Sequence, residues 1–137
     1  MIHQKLVLPT LLLTWAFSGA AQTAGPVPIA CNLNALTAGQ RKELHRFSER
    51  LVSAVVGSRE MADGYAFQVG SASLSAVELA EGIELWRRCC PFYEFQIDLR
   101  GEDGALWLSL RGRKGVKEYF PVDAPALAAK LPKRGAR

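Results

Sequence analysis

The sequence has few of the side chains on which enzymes depend. Its 137 residues include two histidines, His3 and His45, and three cysteines. No serine or cysteine has an evident base to activate it, and both histidines are poorly placed for that role, so a hydrolytic enzyme finds no support. Whether the chain is an enzyme stays open, but its composition favours a protein that is not.

The sequence also lacks an apolar run long enough to cross a membrane. The run over residues 6–17 is shorter than the roughly 20 apolar residues that a membrane helix needs. It is followed by small residues at 18–21, an arrangement typical of a signal peptide. We expect cleavage after residue 20 or 21 and a periplasmic or secreted protein without stable membrane anchoring, an uncleaved anchor being the alternative.

There is no strong charge of one sign. The chain has 17 Lys and Arg against 13 Asp and Glu, a formal net charge of +4. Much of the excess lies in residues 111–115 and in the C-terminal tail "LPKRGAR". Such a thin excess suits solubility or a loose surface contact, so we expect no nucleic-acid partner.

Apolar residues at helical spacing follow a capping-box pattern at Thr37 and Gln40. The pattern predicts a first helix over residues 38–56, with charged residues on its solvent face and a left-handed stop at Gly57.

The same capping pattern recurs at Ser75 and Glu78 and predicts a second helix. A residue before proline is pushed out of the helical region, so Pro91 should leave Cys89 as the last helical residue. The apolar face of this helix contains Leu79, Ile83, Trp86 and Cys90.

Four short strands are predicted. Residues 58–61 and 65–69 flank an Asp63-Gly64 turn and form a candidate hairpin. Beyond Pro91, apolar residues at positions 93, 95, 97 and 99, and then at 106, 108 and 110, alternate with other residues and predict a meander with one buried face. A helical turn at 115–120 follows, and Asp123 with Pro125 predicts a capped last helix.

This order of elements predicts an α+β fold, a small antiparallel sheet with two main helices packed on one face and a short C-terminal helix. The predicted organisation is a signal peptide over residues 1–21, an extended lead-in over 22–35, a single α+β domain over 36–121, and a C-terminal helix and basic tail over 122–137.

The three cysteines allow at most one intramolecular disulfide and leave one thiol over. Cys31 precedes the first helix, and Cys89 and Cys90 end the second, so the three sulfurs converge if those helix ends meet. An oxidising compartment favours a bridge. Reduced thiols would instead suit a soft ion such as Hg(II), As(III), Cu(I) or Zn(II).

Other interpretations of the cysteines stay open. A disulfide oxidoreductase is disfavoured, because the pair lacks the two-residue spacer and lies at a helix carboxyl end, where the dipole opposes a thiolate. Cys90 on an apolar stripe also fits a packed core residue. His45 is a weak candidate as a fourth zinc ligand, since it lies on a charged helix face.

A separate alternative is a partner-binding sheet face. It would carry Trp107, Arg111 and Tyr93 if the sheet is uncovered on one side.

The stretches "CNLNALTAGQR", "DGYAF", "RRCCPF" and "LWLSLRGRKGVKEYF" resemble, in order and spacing, a bacterial family of small, largely uncharacterised proteins centred on a Cys-Cys-Pro-Phe motif. Similar modules look to be appended to mercury-resistance-type regulators, which implies a heavy-metal or metalloid response. The resemblance places Cys31, Cys89 and Cys90 at the cysteine positions of that family. An exported amino terminus departs from it, since the relatives look cytoplasmic.

The sequence therefore leads to one main hypothesis. It is an exported, non-enzymatic domain that binds a soft metal or metalloid ion through Cys89 and Cys90, with Cys31 as third ligand. The alternative is a structural or interaction domain whose cysteines form a disulfide or pack in the core without a ligand.

Overall fold

The first helix runs directly into the first strand. A computed structural model describes residues 25–133 of the chain, so the predicted signal peptide and the last four residues of the basic tail lie outside the described part. Helix α1 spans Ala38–Ala54 and strand β1 spans Val55–Met61. The predicted stop at Gly57 is wrong, because the β-branched residues Val55 and Val56 already favour a strand and Gly57 pairs with Gln68.

Both predicted capping boxes are present. The Thr37 hydroxyl accepts a hydrogen bond from the Gln40 backbone N–H at 3.2 Å, and the Gln40 side chain accepts one from the Thr37 N–H at 3.0 Å. Ser75 and Glu78 repeat this arrangement at the start of α2, which spans Ala76–Cys89. Each box satisfies two N–H groups that have no partner inside the helix.

The sheet has four antiparallel strands in the order β1-β2-β4-β3. Strand β2 spans Gly64–Val69, β3 spans Glu94–Leu99 and β4 spans Leu106–Arg111. The predicted hairpin and meander are confirmed as β1–β2 and β3–β4. Strand β4 joins them into one sheet, since Leu108 pairs with both Phe67 and Ile97.

The helices cover one face of the sheet, as the sequence predicts for an α+β fold. The rings of Tyr65 and Phe67 on β2 lie 5.1 and 5.8 Å from that of Phe120 on α3, which spans Val116–Asp123. The core holds the residues that are 1% exposed or less and have large apolar side chains: Leu51, Phe67, Leu74, Leu79, Leu106, Leu108, Leu110, Val116 and Phe120. Leu127, on the short helix α4 (Pro125–Ala128), belongs to the same cluster.

The prediction that Leu99 on β3 faces the buried side needs correction, and so does the alternative of an open sheet face that carries Tyr93, which lies just before β3. Leu99 is 70% exposed because it is the last residue of an edge strand, beyond the cover of the helices. Tyr93 is buried, so it does not contribute to an open sheet face. On that face Trp107 lies under the guanidinium carbon of Arg59, 4.6 Å from the ring centroid.

Among residues 25–133 we find no helix with the length and apolar character of a membrane span.

A glycine on α2 fixes how closely α1 and α2 approach. A β-carbon at Gly82 would lie 2.1 Å from the Phe47 ring, whereas one at Gly39 on α1 would meet nothing closer than 3.9 Å. We expect Gly82→Ala to lower the free energy of unfolding by about 1–3 kcal/mol through overpacking. Gly39→Ala is the matched control and should be neutral or raise it by up to about 1 kcal/mol. Urea unfolding of both variants tests this, and equal behaviour would contradict the close packing.

Candidate thiol site

The segment before α1 is fastened to the end of α2. The Asn32 N–H donates to the Cys89 carbonyl at 2.7 Å, which satisfies one of the carbonyl groups left over at a helix carboxyl end. The Arg41 guanidinium donates to the Leu36 carbonyl at 2.7 Å, and Leu36 itself is buried. These contacts place Cys31 beside the cysteine pair.

Cys31 and Cys90 are joined by a disulfide with a Cα–Cα distance of 4.4 Å. Cys90 is the C-cap of α2, with φ −125° and ψ 67°, and has left the helical conformation as the following proline requires. A bond between Cys89 and Cys90 is disfavoured, because consecutive Cα atoms are about 3.8 Å apart, below the usual disulfide range of about 4.4–6.8 Å.

Cys89 is the free cysteine, and its side chain is fully buried. Its Sγ donates to the Trp86 carbonyl at 3.2 Å and lies 3.5 Å from Cys90 Sγ. Burial raises the pKa of the Cys89 thiol, and the nearby Asp123 carboxylate raises it further. Cys89 is therefore a neutral thiol in contact with the disulfide.

Asp123 completes the site from the end of α3. Its Oδ1 lies 3.0 Å from Cys31 Sγ and 3.9 Å from Cys90 Sγ. The sulfurs of a disulfide carry no hydrogen, so these are contacts while the bond is intact and become hydrogen bonds only when thiols form. The prediction that Asp123 caps the last helix is wrong, since the N-cap of α4 is Ala124 and makes no side-chain capping bond.

The negative charge of the Asp123 carboxylate is poorly balanced by hydrogen bonds from its neighbours. Its Oδ2 and the Tyr93 hydroxyl are buried and make no hydrogen bond of normal geometry within the described part of the chain. Burial raises the pKa of Asp123, although the Tyr93 hydroxyl and the Trp86 side chain are near enough to lower it in part. Burial raises the pKa of the Tyr93 hydroxyl, and the Asp123 carboxylate raises it further.

The structure brings the three predicted cysteines to one place. The Sγ atoms of Cys31 and Cys90 and one Asp123 oxygen lie within 4.8 Å of one another. Cys89 is not part of this set, although it contacts Cys90. His45 is also outside it and has an exposed side chain 3.5 Å from Glu49.

Sequence reasoning missed Asp123. An aspartate two residues before a proline is typical of a helix cap. The sequence does not distinguish a carboxylate that caps a helix from one that points toward Cys31.

The site lies at the buried end of a cleft of about 780 Å³ between α1 and the α3–α4 corner. Apolar side chains such as Leu44, Val52 and Leu127 form its walls, and Arg41 and Glu49 lie on its exposed side. All three cysteines and Asp123 line it, so the sulfur cluster faces a cavity of small-molecule size.

In comparisons with known proteins, no family model matches the chain, and no curated protein or solved structure is similar to it. The resemblance to the Cys-Cys-Pro-Phe family stays a prediction.

The disulfide closes a long loop, because its cysteines are 59 positions apart in sequence. We expect Cys31→Ala with Cys90→Ala to lower the free energy of unfolding by about 2–5 kcal/mol, because the unfolded chain regains the entropy of the open loop. The matched control Cys89→Ala removes a buried side chain and its hydrogen bond to the Trp86 carbonyl but leaves the loop closed. Urea unfolding of oxidised protein measures both, and a bridge variant no less stable than Cys89→Ala would contradict the bond.

The raised pKa of Asp123 makes stability depend on pH. The unfolded carboxyl loses its proton near pH 4, whereas the folded carboxyl loses it only at a higher pH. Between these two pKa values the folded state binds more protons than the unfolded state, so its stability falls as the pH rises. We therefore expect the stability of Asp123→Asn relative to the unsubstituted protein to rise with pH above about 4.

Thermal unfolding across pH measures this difference, with the surface substitution Glu102→Gln as control for the loss of one charge. A difference that stays flat or falls with pH would contradict an uncompensated carboxylate at this position.

Proposed function

We propose that this protein binds one soft metal or metalloid ion when the Cys31–Cys90 bond is reduced. The ligands are the sulfurs of Cys31 and Cys90 and the carboxylate of Asp123, with Cys89 as an adjacent third sulfur. The observation that carries the proposal is the meeting of donors from three distant parts of the chain, all within 4.8 Å.

One sulfur–sulfur distance is close to that in such a centre, whereas the sulfurs of Cys31 and Cys90 are bonded to each other and must move apart on reduction. Zinc–sulfur bonds are about 2.3 Å, so two sulfurs on a tetrahedral ion lie roughly 3.8 Å apart. Cys89 Sγ and Cys90 Sγ are 3.5 Å apart, which requires only a small movement. Thiolates select soft ions, and an ion can displace their protons, so the raised pKa of Cys89 does not prevent coordination.

The buried Asp123 oxygen, which makes no hydrogen bond of normal geometry within residues 25–133, also supports the proposal. A buried carboxylate atom without a hydrogen bond reduces stability, and a positive ion at the Cys31 and Cys90 sulfurs would compensate it. The site is covered on the α2 side, since Cys89 and Cys90 are 0% and 1% exposed. It lines the cleft on the Cys31 side, through which an ion can enter.

The disulfide and the ion exclude each other. Cys31 and Cys90 cannot both bond to one another and act as thiolate ligands, so oxidation closes the site and reduction opens it. If the protein is exported, as the sequence predicts, the oxidised form is the resting state, and binding requires a reductant.

A second candidate is a purely structural role. The Cys31–Cys90 bond and the Asn32 hydrogen bond to Cys89 together fasten the amino-terminal segment to α2, and this alone explains two of the three cysteines. In that case Cys89 is a core residue and no ion binds.

Ion titration of the folded protein separates the two candidates. We expect protein reduced with a phosphine to take up one Zn(II) or one As(III) per chain in native mass spectrometry, and oxidised protein to take up none. Cys31→Ala and Cys90→Ala should each abolish uptake, and Asp123→Asn should weaken Zn(II) binding.

The matched control is Cys89→Ala, which should retain zinc binding by the other three donors. Absence of stoichiometric uptake by folded, reduced protein would leave the structural role. Loss of uptake in Cys89→Ala with binding retained in Cys31→Ala would contradict this ligand set, because it would assign the ion to the adjacent pair alone.

A further inference from the structure

The two sulfurs of the disulfide differ in how they can be reached. Cys90 is 1% exposed and the neighbouring Cys89 is 0% exposed, whereas Cys31 is partly exposed. All three line the same cleft. Lining the cleft does not separate the two, but the difference in exposure does: a nucleophile that enters the cleft meets the partly exposed Cys31 more readily than the buried Cys90.

The cleft suits a small organic molecule. Its volume of about 780 Å³ lies within the roughly 300–1,000 Å³ typical of ligand sites. Its lining combines apolar side chains, exposed polar residues such as Arg41 and Glu49, and the three cysteines. A structural disulfide sealed in a core would have no such approach.

We propose that the cleft admits a small thiol, which opens the disulfide by attack on Cys31. The incoming sulfur forms a bond to Cys31 Sγ, the Cys31–Cys90 bond breaks, and its electron pair stays on the Cys90 sulfur. The proton released by the incoming thiol ends on Cys90. Cys31 then holds the molecule as a mixed disulfide, and no oxidant other than the protein's own disulfide is used.

A second thiol completes the reaction. It attacks the bound molecule's sulfur, releases a disulfide of the two small thiols, and leaves Cys31 as a thiol. Two electrons pass in total from the two thiols to the protein. Which sulfur is attacked in such exchange depends on access, and here access selects Cys31.

The geometry also says why the freed Cys90 persists. Apart from its former partner Cys31, Cys90 contacts the sulfur of Cys89 at 3.5 Å, but a bond between adjacent cysteines is disfavoured by the Cα spacing of about 3.8 Å. Cys90 therefore stays a thiol until it closes back onto Cys31. The inference goes beyond ion binding and does not require it, because the exchange takes place without any metal.

Glutathione is a suitable probe. Oxidised protein is incubated with reduced glutathione and a chelator under native conditions, quenched with acid, alkylated and mapped by peptide mass spectrometry. We expect glutathione on Cys31 and the alkylating agent on both Cys89 and Cys90. Filling the cleft with Ser48→Trp should slow adduct formation roughly tenfold or more, since access controls the rate.

Val77→Trp is the matched control, because Val77 is 68% exposed on α2 and does not line the cleft; it should leave the rate unchanged. Circular dichroism checks that both variants fold. If Ser48→Trp does not, Ala126→Phe fills the cleft from the opposite wall.

Three results would overturn the inference: glutathione on Cys89 or Cys90, an adduct that forms only in denaturant, or equal rates in the cleft-filled and control variants. None of them depends on ion binding, so the outcome is distinct from that of the titration.

Discussion

The closure of the amino-terminal segment onto the carboxyl end of α2 positions the residues of the thiol site. One covalent bond, Cys31 to Cys90, and one short hydrogen bond, from the Asn32 N–H to the Cys89 carbonyl, hold the two parts together. Without this closure Cys31 would belong to an extended lead-in with no fixed position. With it, a helix end, a preceding segment and the corner after α3 meet at one point, and Asp123 comes within 3.0 Å of Cys31 Sγ.

Bringing these three parts together reduces stability at Asp123, because it buries a carboxylate. Its carboxylate is partly buried, has one oxygen without a hydrogen bond in the described residues, and has a raised pKa because of burial. A structural disulfide does not need such a neighbour. The proposed ion and the proposed thiol exchange both use the space around this carboxylate, and they are linked, since exchange converts the closed site into the thiol form that binds an ion.

Local patterns in the sequence predicted most of the fold. The capping boxes at Thr37 and Ser75 and the leucines of β4 each encode a structure within a few residues, and each is confirmed. The Asp63-Gly64 signal predicted the right hairpin, although the turn residues are Ala62 and Asp63 and Gly64 belongs to β2. Gly57 was misjudged because glycine is permitted both in a left-handed stop and in a strand, and the strand pairing with Gln68 decides. The position of β4 between β2 and β3 depends on long-range packing, which a single sequence does not express.

The site was predictable in part for the same reason. The sequence identified the cysteines and the helix ends that carry them, but it left their pairing open, because pairing depends on how α1 and α2 meet. Asp123 was assigned to a local cap, and only the tertiary contact with Cys31 gives it another role. The cleft is likewise formed by elements far apart in sequence, α1 and the α3–α4 corner.

The most direct test of this account is a disulfide map of the oxidised protein. Free thiols are alkylated before digestion without reductant, and fragment ions then distinguish the adjacent cysteines. The account predicts a peptide in which Cys31 is linked to Cys90 and the alkyl group is on Cys89. A link involving Cys89, or alkylation of all three cysteines in folded protein, would contradict it.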